Sequence, residues 1–545
     1  MIAVVIRHSL YRMRYFLHMF QQNGYSLADM YRWFSGHLFS RGITAEHLFF
    51  NLLILGMTAY AASRITMTAG SVIMATVAIF WFIDVDIYSP VQQKKPLVFT
   101  SRMKRLAVIY LLPVVAAWYY LIDFSYNRMV IRDYAGAFVN TDPYFVAFFV
   151  VLIDMLIPLF LFVVAAIIQP VERFIQEGFK KQAREKLSAL SHVKVIAITG
   201  SYGKTSTKFT ISALLGERYQ VCVTPGSFNT PMGICKVINS DLEAHHEILI
   251  LEMGARYRGN IKELCEIARP DISVITNVGV SHLETFGSQE VIAHEKATLA
   301  RELKPGGILI LNGEDEWVKA MKLLRDDVTC IVTGPQGTVM AEGIETGGEG
   351  TSFDLVLKDE KGRVRETGQI ATKLLGRHNV QNLLLAAAVA NELDIRIKTV
   401  ALAASKINPV EHRLELKQRN GITVIDDAFN SNPVGAANAV EVLSSFSGVR
   451  KIIITPGMIE LGDAEDDLNE QFGRDIGEGG IDLAILVGGE RIAPIERGIR
   501  RSDPAGKTEI RIVNSLFEAN DLLAEVARPG DVVLYENDLP DSYNS

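Results

Sequence analysis

Val193-Lys-Val-Ile-Ala-Ile-Thr-Gly-Ser-Tyr-Gly-Lys-Thr-Ser-Thr207 decides how the rest of the chain is read. The β-branched run from Val193 to Thr199 predicts a buried parallel strand, Gly200 and Gly203 a tight turn, and Lys204, Thr205 and Ser206 the opening of a helix. That order makes a phosphate-binding loop. Amides freed by the turn and the positive end of the helix face phosphate oxygens, Lys204 adds a mobile cation, and the Thr205 hydroxyl can hold Mg²⁺. The common G-x-x-x-x-G-K-[ST] spacing would require glycine where Ile198 stands, so this is the shorter T-G-S-Y-G-K-T form. Gly200, Ser201, Gly203, Lys204, Thr205 and Ser206 are the expected nucleotide contacts.

At 545 residues the chain has room for about three domains. Apolar residues crowd the first third, whereas charge and glycine dominate after Glu172, which predicts a membrane segment joined to a soluble enzyme-like part. A net charge of −7 gives no reason to expect nucleic acid as a partner. The four cysteines, Cys222, Cys235, Cys265 and Cys330, form no C-x-x-C pair and read as reduced core residues rather than a zinc site.

Residues 1–45 carry Arg7, Arg12, Arg14, Arg32 and Arg41 among aromatics such as Tyr15, Phe16, Phe20 and Trp33, the pattern of an amphipathic segment on the inner membrane face. Four apolar runs follow: Leu48–Ala62, Ile65–Ile83, Leu106–Ile122 and Tyr144–Ile168. A helix needs about 20 residues to cross the hydrocarbon, so the last three qualify and the first does so with its flanks. Alternatively, the first two form one re-entrant hairpin. Lys94, Lys95, Arg102, Lys104 and Arg105 lie between the second and third runs, and Arg173, Lys180, Lys181, Arg184 and Lys186 follow the fourth. The third connection mixes Arg128 and Arg132 with Asp123, Asp133 and Asp142. The charge bias therefore puts both termini in the cytoplasm, where ATP is available, and makes the protein a multi-pass component of the inner membrane. Asp154, near the middle of the fourth run, should face the bundle interior and find a partner there. The basic loop Lys94–Arg105 could hold a lipid pyrophosphate, although the same charges serve topology alone.

Beyond the phosphate loop, Glu252 ends the apolar strand Glu247–Leu251, where an acidic side chain can reach Mg²⁺. A strand from Ile272 to Thr276 runs into Asn277-Val-Gly-Val-Ser-His282, and a later helix carries Lys296. Alone, His282 or Lys296 would most often be structural; with the strand ends they converge on one face of a doubly wound sheet.

The series Thr199-Gly-Ser-Tyr-Gly-Lys-Thr205, Glu252-Met-Gly-Ala255, Thr276-Asn-Val-Gly-Val-Ser-His282 and Lys296 resembles the ATP-dependent Mur ligases. It is most similar to the MurF branch, which adds a dipeptide to the cell-wall stem peptide. Leu375-Gly-Arg-His-Asn-Val-Gln-Asn382, Pro409-Val-Glu-His-Arg413, Asp426-Asp-Ala-Phe-Asn-Ser-Asn-Pro433 and Gly457-Met-Ile-Glu-Leu-Gly462 follow in the family's order. The resemblance covers about Val193 to Asp531 and implies a P-loop α/β central domain (191–408) and a Rossmann-like C-terminal domain (409–545), which follow the α-helical membrane region (1–170) and the charged helical linker (171–190) read from the residues. It further implies ATP and Mg²⁺ as cofactors, with Lys204 at the β- and γ-phosphates and Thr205 and Glu252 on one Mg²⁺. His282 and a carbamylated Lys296 would serve the second metal, Asn382 the adenine, Asp427 the ribose, and Arg413 the phosphates across a hinge near Pro409.

Family members of the MurF branch begin with a soluble domain that grips the uridine nucleotide, whereas this chain begins with apolar spans. The expected substrate is accordingly a cell-wall precursor, lipid-linked or UDP-linked, joined to an amino acid or dipeptide. The last strand, Asp531–Tyr535, runs into Glu536-Asn-Asp-Leu-Pro-Asp541 where the family often has a Lys-Gly-Ser type loop; an acidic ending would repel a second carboxylate and attract an amine. Two further readings share the core: a poly-γ-glutamate or folylpolyglutamate type of ligase, and a catalytically silent membrane scaffold. Lys204, Glu252, His282, Lys296 and Arg413 together, the expected catalytic set, speak against the scaffold.

Overall fold

The computed structural model describes residues 2–36, 53, 79, 96–131, 143–280, 282–348, 350–428, 431–459, 461–489 and 492–537. The apolar runs Leu48–Ala62 and Ile65–Ile83 lie outside the described residues except at Leu53 and Ile79, as do Arg41, Lys94, Lys95, Arg132, Asp133, Asp142 and the ending from Asp538. Met1–Ile175 form one compact unit and Gln176–Asp538 another.

In the first unit the described helices are α1 (Ile2–Gln22), α2 (Leu27–Gly36), α3 (Ser101–Ile131) and α4 (Pro143–Ala189), the last continuing past the unit's end. Ser101–Asp123 and Phe149–Ala189 are long and apolar enough to cross a membrane, by length and composition. The fourth apolar run and the charged linker, read as separate segments, are one unbroken helix. Helix α1 does not keep its charges on an outer face. Its Phe16, Leu17 and Phe20 pack with Met103 and Tyr110 of α3 and Ile157 and Leu161 of α4. In the same helix, Arg12 Nη1 reaches Asp154 Oδ2 at 2.8 Å and His8 Nε2 lies 3.2 Å from Asp154 Oδ1. The partner expected for Asp154 is thus supplied by the N-terminal segment, because an isolated carboxylate in apolar surroundings costs far more than a paired one.

The second unit holds two sheets. The first has nine strands in the order β2 (Val221–Val223), β3 (Ile248–Glu252), β1 (Lys194–Thr199), β4 (Ile272–Ile275), β5 (Ile308–Asn312), β6 (Thr329–Thr333), β7 (Val339–Gly347), β8 (Gly350–Lys358) and β9 (Val364–Thr372), parallel as far as β7 and then an antiparallel meander. Its centre is β1 (Lys194–Thr199), flanked by β3 (Ile248–Glu252) and β4 (Ile272–Ile275). Side chains alternate across a strand, so Ile196 and Ile198 enter one core while Val195 and Ala197 enter the other. Helices α5 (Lys204–Leu215), α6 (Pro231–Lys236), α7 (Asn260–Ile267), α8 (Leu283–Phe286), α9 (Gln289–Arg301), α10 (Glu316–Ala320), α11 (Arg377–Glu392) and α12 (Ile397–Lys406) accompany it. Ile211, Leu214 and Leu383 of α5 and α11 cover the first face, and Ile261, Leu264, Ile292 and Leu299 of α7 and α9 the second. A strand buried on both faces has to be apolar throughout, hence the continuous run.

The second sheet has six strands in the order β10 (Glu415–Arg419), β11 (Ile422–Asp427), β15 (Val532–Glu536), β12 (Lys451–Thr455), β13 (Leu483–Val487) and β14 (Glu509–Val513), all parallel except β10. The strands that bear on the site are β11 (Ile422–Asp427), β12 (Lys451–Thr455) and β15 (Val532–Glu536), with α13 (Pro433–Ser444) following β11. The doubly wound central sheet and the second α/β sheet agree with the α/β part of the expected fold class; of the expected membrane region, two described helices are long and apolar enough to cross a bilayer.

Removing one partner of a buried ion pair leaves an uncompensated charge, at a cost of roughly 3–5 kcal/mol. Asp154→Leu or Arg12→Leu alone should therefore lower the unfolding midpoint of the full-length protein, and the double variant should recover most of the loss. Equal losses that add in the double variant would show that the two side chains do not interact.

Candidate active site

The register between β1 and β3, with Ile198 opposite Glu252, brings a carboxylate to the mouth of the glycine turn. Glu252 is almost wholly buried and is met from three directions. Thr205 Oγ1 donates to its Oε2 at 2.9 Å, Lys208 Nζ donates to the same oxygen at 3.2 Å, and Asn229 Nδ2 donates to Oε1 at 3.2 Å. Lys208 escapes a sequence reading because a helical lysine usually points to solvent; here its side chain is fully enclosed.

The turn is moulded by the loop after β4. Asn277 Oδ1 accepts from the amides of Ser201 (3.1 Å) and Tyr202 (2.9 Å), and the Ser201 hydroxyl exchanges hydrogen bonds with the backbone of Gly279. Ser201 thus spends its amide and hydroxyl on holding the turn. A Cβ on Gly200 would stand 1.9 Å from Thr276 Oγ1, and one on Gly203, whose φ is +75°, would stand 2.8 Å from Asn382 Oδ1. Both positions require glycine. Lys204 arches over the turn, donating to the carbonyls of Gly200 (2.8 Å) and Ser201 (3.0 Å). Burial lowers its pKa to about 8, with nearby Glu252 opposing the shift and Arg413 adding to it.

Arg413 comes from beyond Pro409, and its Nη2 donates to Thr205 Oγ1 at 3.3 Å. The residues on either side, His412 and Leu414, hold left-handed backbone at φ 59° and 47°, a strained arrangement fixed by His412 Nδ1 against Asp426 (2.8 Å) and the Leu414 amide donating to Asp427 Oδ1 (3.2 Å). Asn382 Oδ1 accepts from Thr207 Oγ1 at 2.9 Å. Arg413, Asp427, Asn382, Gly203 and Ser206 all line one cleft of about 590 Å³, which is ample for a nucleotide.

Residues 198–390 match the family model of the Mur ligase middle domain, and residues 412–535 that of the Mur ligase glutamate ligase domain. The chain is 33% identical over 352 residues to the UDP-N-acetylmuramoyl-tripeptide--D-alanyl-D-alanine ligase of Bacillus subtilis (strain 168), covering 63% of this chain and 72% of that one. The enzyme of the same name from Mycobacterium tuberculosis (strain ATCC 25618 / H37Rv) is 34% identical over 368 residues, with 62% and 69% covered. The chain belongs to the Mur ligase family.

Its fold is shared with crystal structures of MurF from Acinetobacter baumannii (TM-score 0.61, 24% identity, 68% of this chain and 78% of that one) and of MurF from Thermotoga maritima in complex with ADP (TM-score 0.59, 24% identity, 68% and 81%). As a Mur ligase it is an ATP-dependent enzyme that forms amide bonds and uses Mg²⁺, so the silent-scaffold reading is set aside. Both family models begin after residue 197, and the N-terminal region is not the UDP-binding domain usual in the family.

The Mur ligase site fits a magnesium nucleotide. Among the described residues no three His, Cys, Asp or Glu side chains gather closely enough to hold a metal by themselves. A metal beside Thr205 and Glu252 would therefore complete its shell with phosphate oxygens and water, as Mg²⁺ commonly does. Lys296, on α9, is 3% exposed, and its pKa is lowered to about 7, chiefly by burial and then by the charge of Lys204, so it belongs to the same cluster. His282 stands at the end of the Asn277 loop, two residues past Val280 of the cleft wall, in left-handed backbone (φ 60°). Glu536 is not presented as an open anion. It lies almost fully buried, accepting from the Ser431 hydroxyl and from Thr455 Oγ1 (2.8 Å), and burial raises its pKa to about 8.

The sequence reading passed over Asn277, Lys208 and Tyr202. The Tyr202 ring fills the space that a side chain at position 279 would take: a Cβ on Gly279 would lie 1.2 Å from its hydroxyl. Gly279→Ala should displace Tyr202 from the cleft wall and weaken nucleotide binding by about tenfold, or ~1.4 kcal/mol, in calorimetric titration. Unchanged affinity would mean that the wall yields without cost.

Proposed function

We propose that this Mur ligase is anchored in the inner membrane and joins a carboxylate of a peptidoglycan precursor to an amino acid or dipeptide amine, on a substrate held at the membrane surface. The reading rests above all on Thr205, which the Glu252 carboxylate and the Arg413 guanidinium approach together from different domains. The anchor is supported by the two long apolar stretches and by the outward apolar side chains Leu112, Tyr120, Leu159, Val163 and Ile167. The choice of precursor is supported by the named activity of the Bacillus subtilis and Mycobacterium tuberculosis relatives.

Amide formation from a carboxylate needs a leaving group. A carboxylate oxygen bonds to the γ-phosphorus of ATP while the bond to the β,γ-bridging oxygen breaks and ADP departs. The amine then attacks the acyl carbon, phosphate leaves with the C–O electrons, and the amine gives up a proton. The protein's task is positioning and charge. Lys204 and the amides of Gly203, Lys204 and Thr205 would hold the β- and γ-phosphates. Arg413 would neutralise charge from the opposite wall, Asn382 would face the adenine and Asp427 the ribose. Thr205 and Glu252 would hold Mg²⁺, which supplies Lewis-acid stabilisation of the transferred phosphoryl group. His282 and Lys296 would serve a second ion.

Lys296 suits carbamylation, because its lowered pKa leaves much of the amine neutral and nucleophilic at neutral pH. The neutral fraction falls as pH drops through about 7, so carbamate and activity should decline together on that side. A ¹³C carbamate resonance from labelled bicarbonate should appear in the native protein at pH 8, fade toward pH 6 and be missing in Lys296→Arg. A signal that persists in Lys296→Arg would remove this role.

For the reaction itself, purified protein in nanodiscs is offered UDP-linked and lipid-linked muramoyl-tripeptide side by side with ATP, Mg²⁺ and D-alanyl-D-alanine, D-alanine or L-glutamate. Mass spectrometry should find the amide product chiefly on the lipid-linked precursor. Product on the UDP-linked precursor alone would overturn the surface-held substrate, and glutamate chains would overturn the precursor assignment.

A further inference from the structure

Lys208 has no part in the mechanism just derived, yet its side chain is fully buried beside the site. It lies one turn beyond Lys204 on α5, so it shares a face with the phosphate lysine, but its side chain runs inward and is 0% exposed. An ammonium in such a place is costly unless its hydrogen bonds and charge are answered. Three groups answer it: Glu252 Oε2 at 3.2 Å, the carbonyl of Gly226, with which it makes a short contact, and the Phe209 ring, whose centroid lies 4.5 Å from Nζ. Gly226 belongs to the segment Thr224–Thr230 between β2 (Val221–Val223) and α6. Asn229 of that segment donates to Glu252 Oε1, its carbonyl accepts from the Gly254 amide at 3.0 Å, and a Cβ on Gly254 would meet its side-chain amide at 2.8 Å. Both oxygens of Glu252 are therefore tied to one loop, one through Lys208 and one through Asn229.

The electrostatic consequence is specific. A divalent ion arriving alone meets a carboxylate whose charge an adjacent ammonium already cancels, and Arg413 and Lys204 stand nearby. An ion arriving with a triphosphate brings its own negative charge and ligands. Building on the reading that Thr205 and Glu252 form the metal position, we propose that Lys208 is a positioning residue that neutralises Glu252 and ties the 224–230 loop to it, making divalent-metal binding conditional on nucleotide.

The test uses Mn²⁺ as probe, with free ion counted by electron paramagnetic resonance on the full-length protein with and without a non-hydrolysable ATP analogue. Without nucleotide, the native protein should bind Mn²⁺ weakly. Lys208→Gln, which removes the charge but keeps a donor for Gly226, should bind at least about tenfold more tightly. Lys208→Arg should stay near the native value, and Lys208→Gln/Glu252→Gln should lose the gain. Lys208→Met provides the same charge removal if the glutamine variant does not fold. Chymotrypsin should also cut after Phe228 faster in Lys208→Gln and Lys208→Met than in the native protein. Tighter Mn²⁺ binding is not a result that mere loosening would give. If the charge-removed variants bind Mn²⁺ no better while Glu252→Gln still abolishes nucleotide-dependent binding, the inference falls and the metal reading stands. If Glu252→Gln leaves nucleotide-dependent binding intact, the metal reading itself falls.

Discussion

Everything at the site depends on where the Glu252 carboxylate ends up. Pairing of β1 with β3 sets it one strand away from the glycine turn, and the hydroxyl of Thr205, the ammonium of Lys208 and the amide of Asn229 hold it there. Each of these donors belongs to a segment whose course is set by something else. Thr205 and Lys208 ride on α5, whose Ile211 and Leu214 are locked into the core, and Asn229 is pinned against Gly254. A charge in so closed a place is tolerable only because its partners are fixed before it is needed, and that preorganisation is what charge stabilisation during phosphoryl transfer demands.

The phosphate loop is ringed by cations. Lys204, Lys208 and Arg413 gather around Glu252 and Lys296 stands near Lys204, while the adjoining cleft wall sets Arg377 and Arg413 against Glu314, Asp315 and Asp427. Burial lowers the proton affinity of the four cations at the loop, and Lys296 falls further because Lys204 is beside it. Unfilled, such a cluster repels itself. Filled by a polyphosphate, it is neutralised, so the same residues that would destabilise the empty cleft favour an anionic guest. The strained backbone on either side of Arg413 belongs to this economy, since it aims the guanidinium across the domain boundary at Thr205.

What could be read from the chain alone follows a physical division. The β1 strand, the glycine turn and the strand-end position of Glu252 are local consequences of β-branching, missing Cβ atoms and alternation, and they lie where the sequence puts them. Arg413, assigned to the phosphates through resemblance to the family, meets Thr205, whereas Asn382, assigned by the same resemblance to the adenine, accepts from Thr207 of α5. The residues passed over act at a distance. Asn277 templates the turn from another strand, Lys208 turns into the interior against the habit of lysine, and Tyr202 owes its position to the lack of a side chain at Gly279. None of these has a periodicity or spacing that announces it, because each depends on which segments meet in three dimensions. Glu536 is the reverse case. Its place at a strand end suggested a charge open to substrate, and two hydroxyls enclose it instead.

The N-terminal unit teaches the same lesson in apolar surroundings. Five arginines among aromatics look like a helix resting on a surface, and the pattern is insensitive to one of them turning inward. Arg12 does so because Asp154 lies in the middle of an apolar stretch of α4, where a carboxylate with no cation nearby would have to give up its charge. In the proposed bilayer this pairing has a topological effect. Salt bridges between helices cost least when formed from groups that cannot otherwise be solvated, so Arg12 binds α1 to α4 more firmly than its outward apolar side chains could, since lipid tails accept those equally well in any arrangement. The segment that carries the first charges of the chain is thereby built into the same helical unit as α3 and α4.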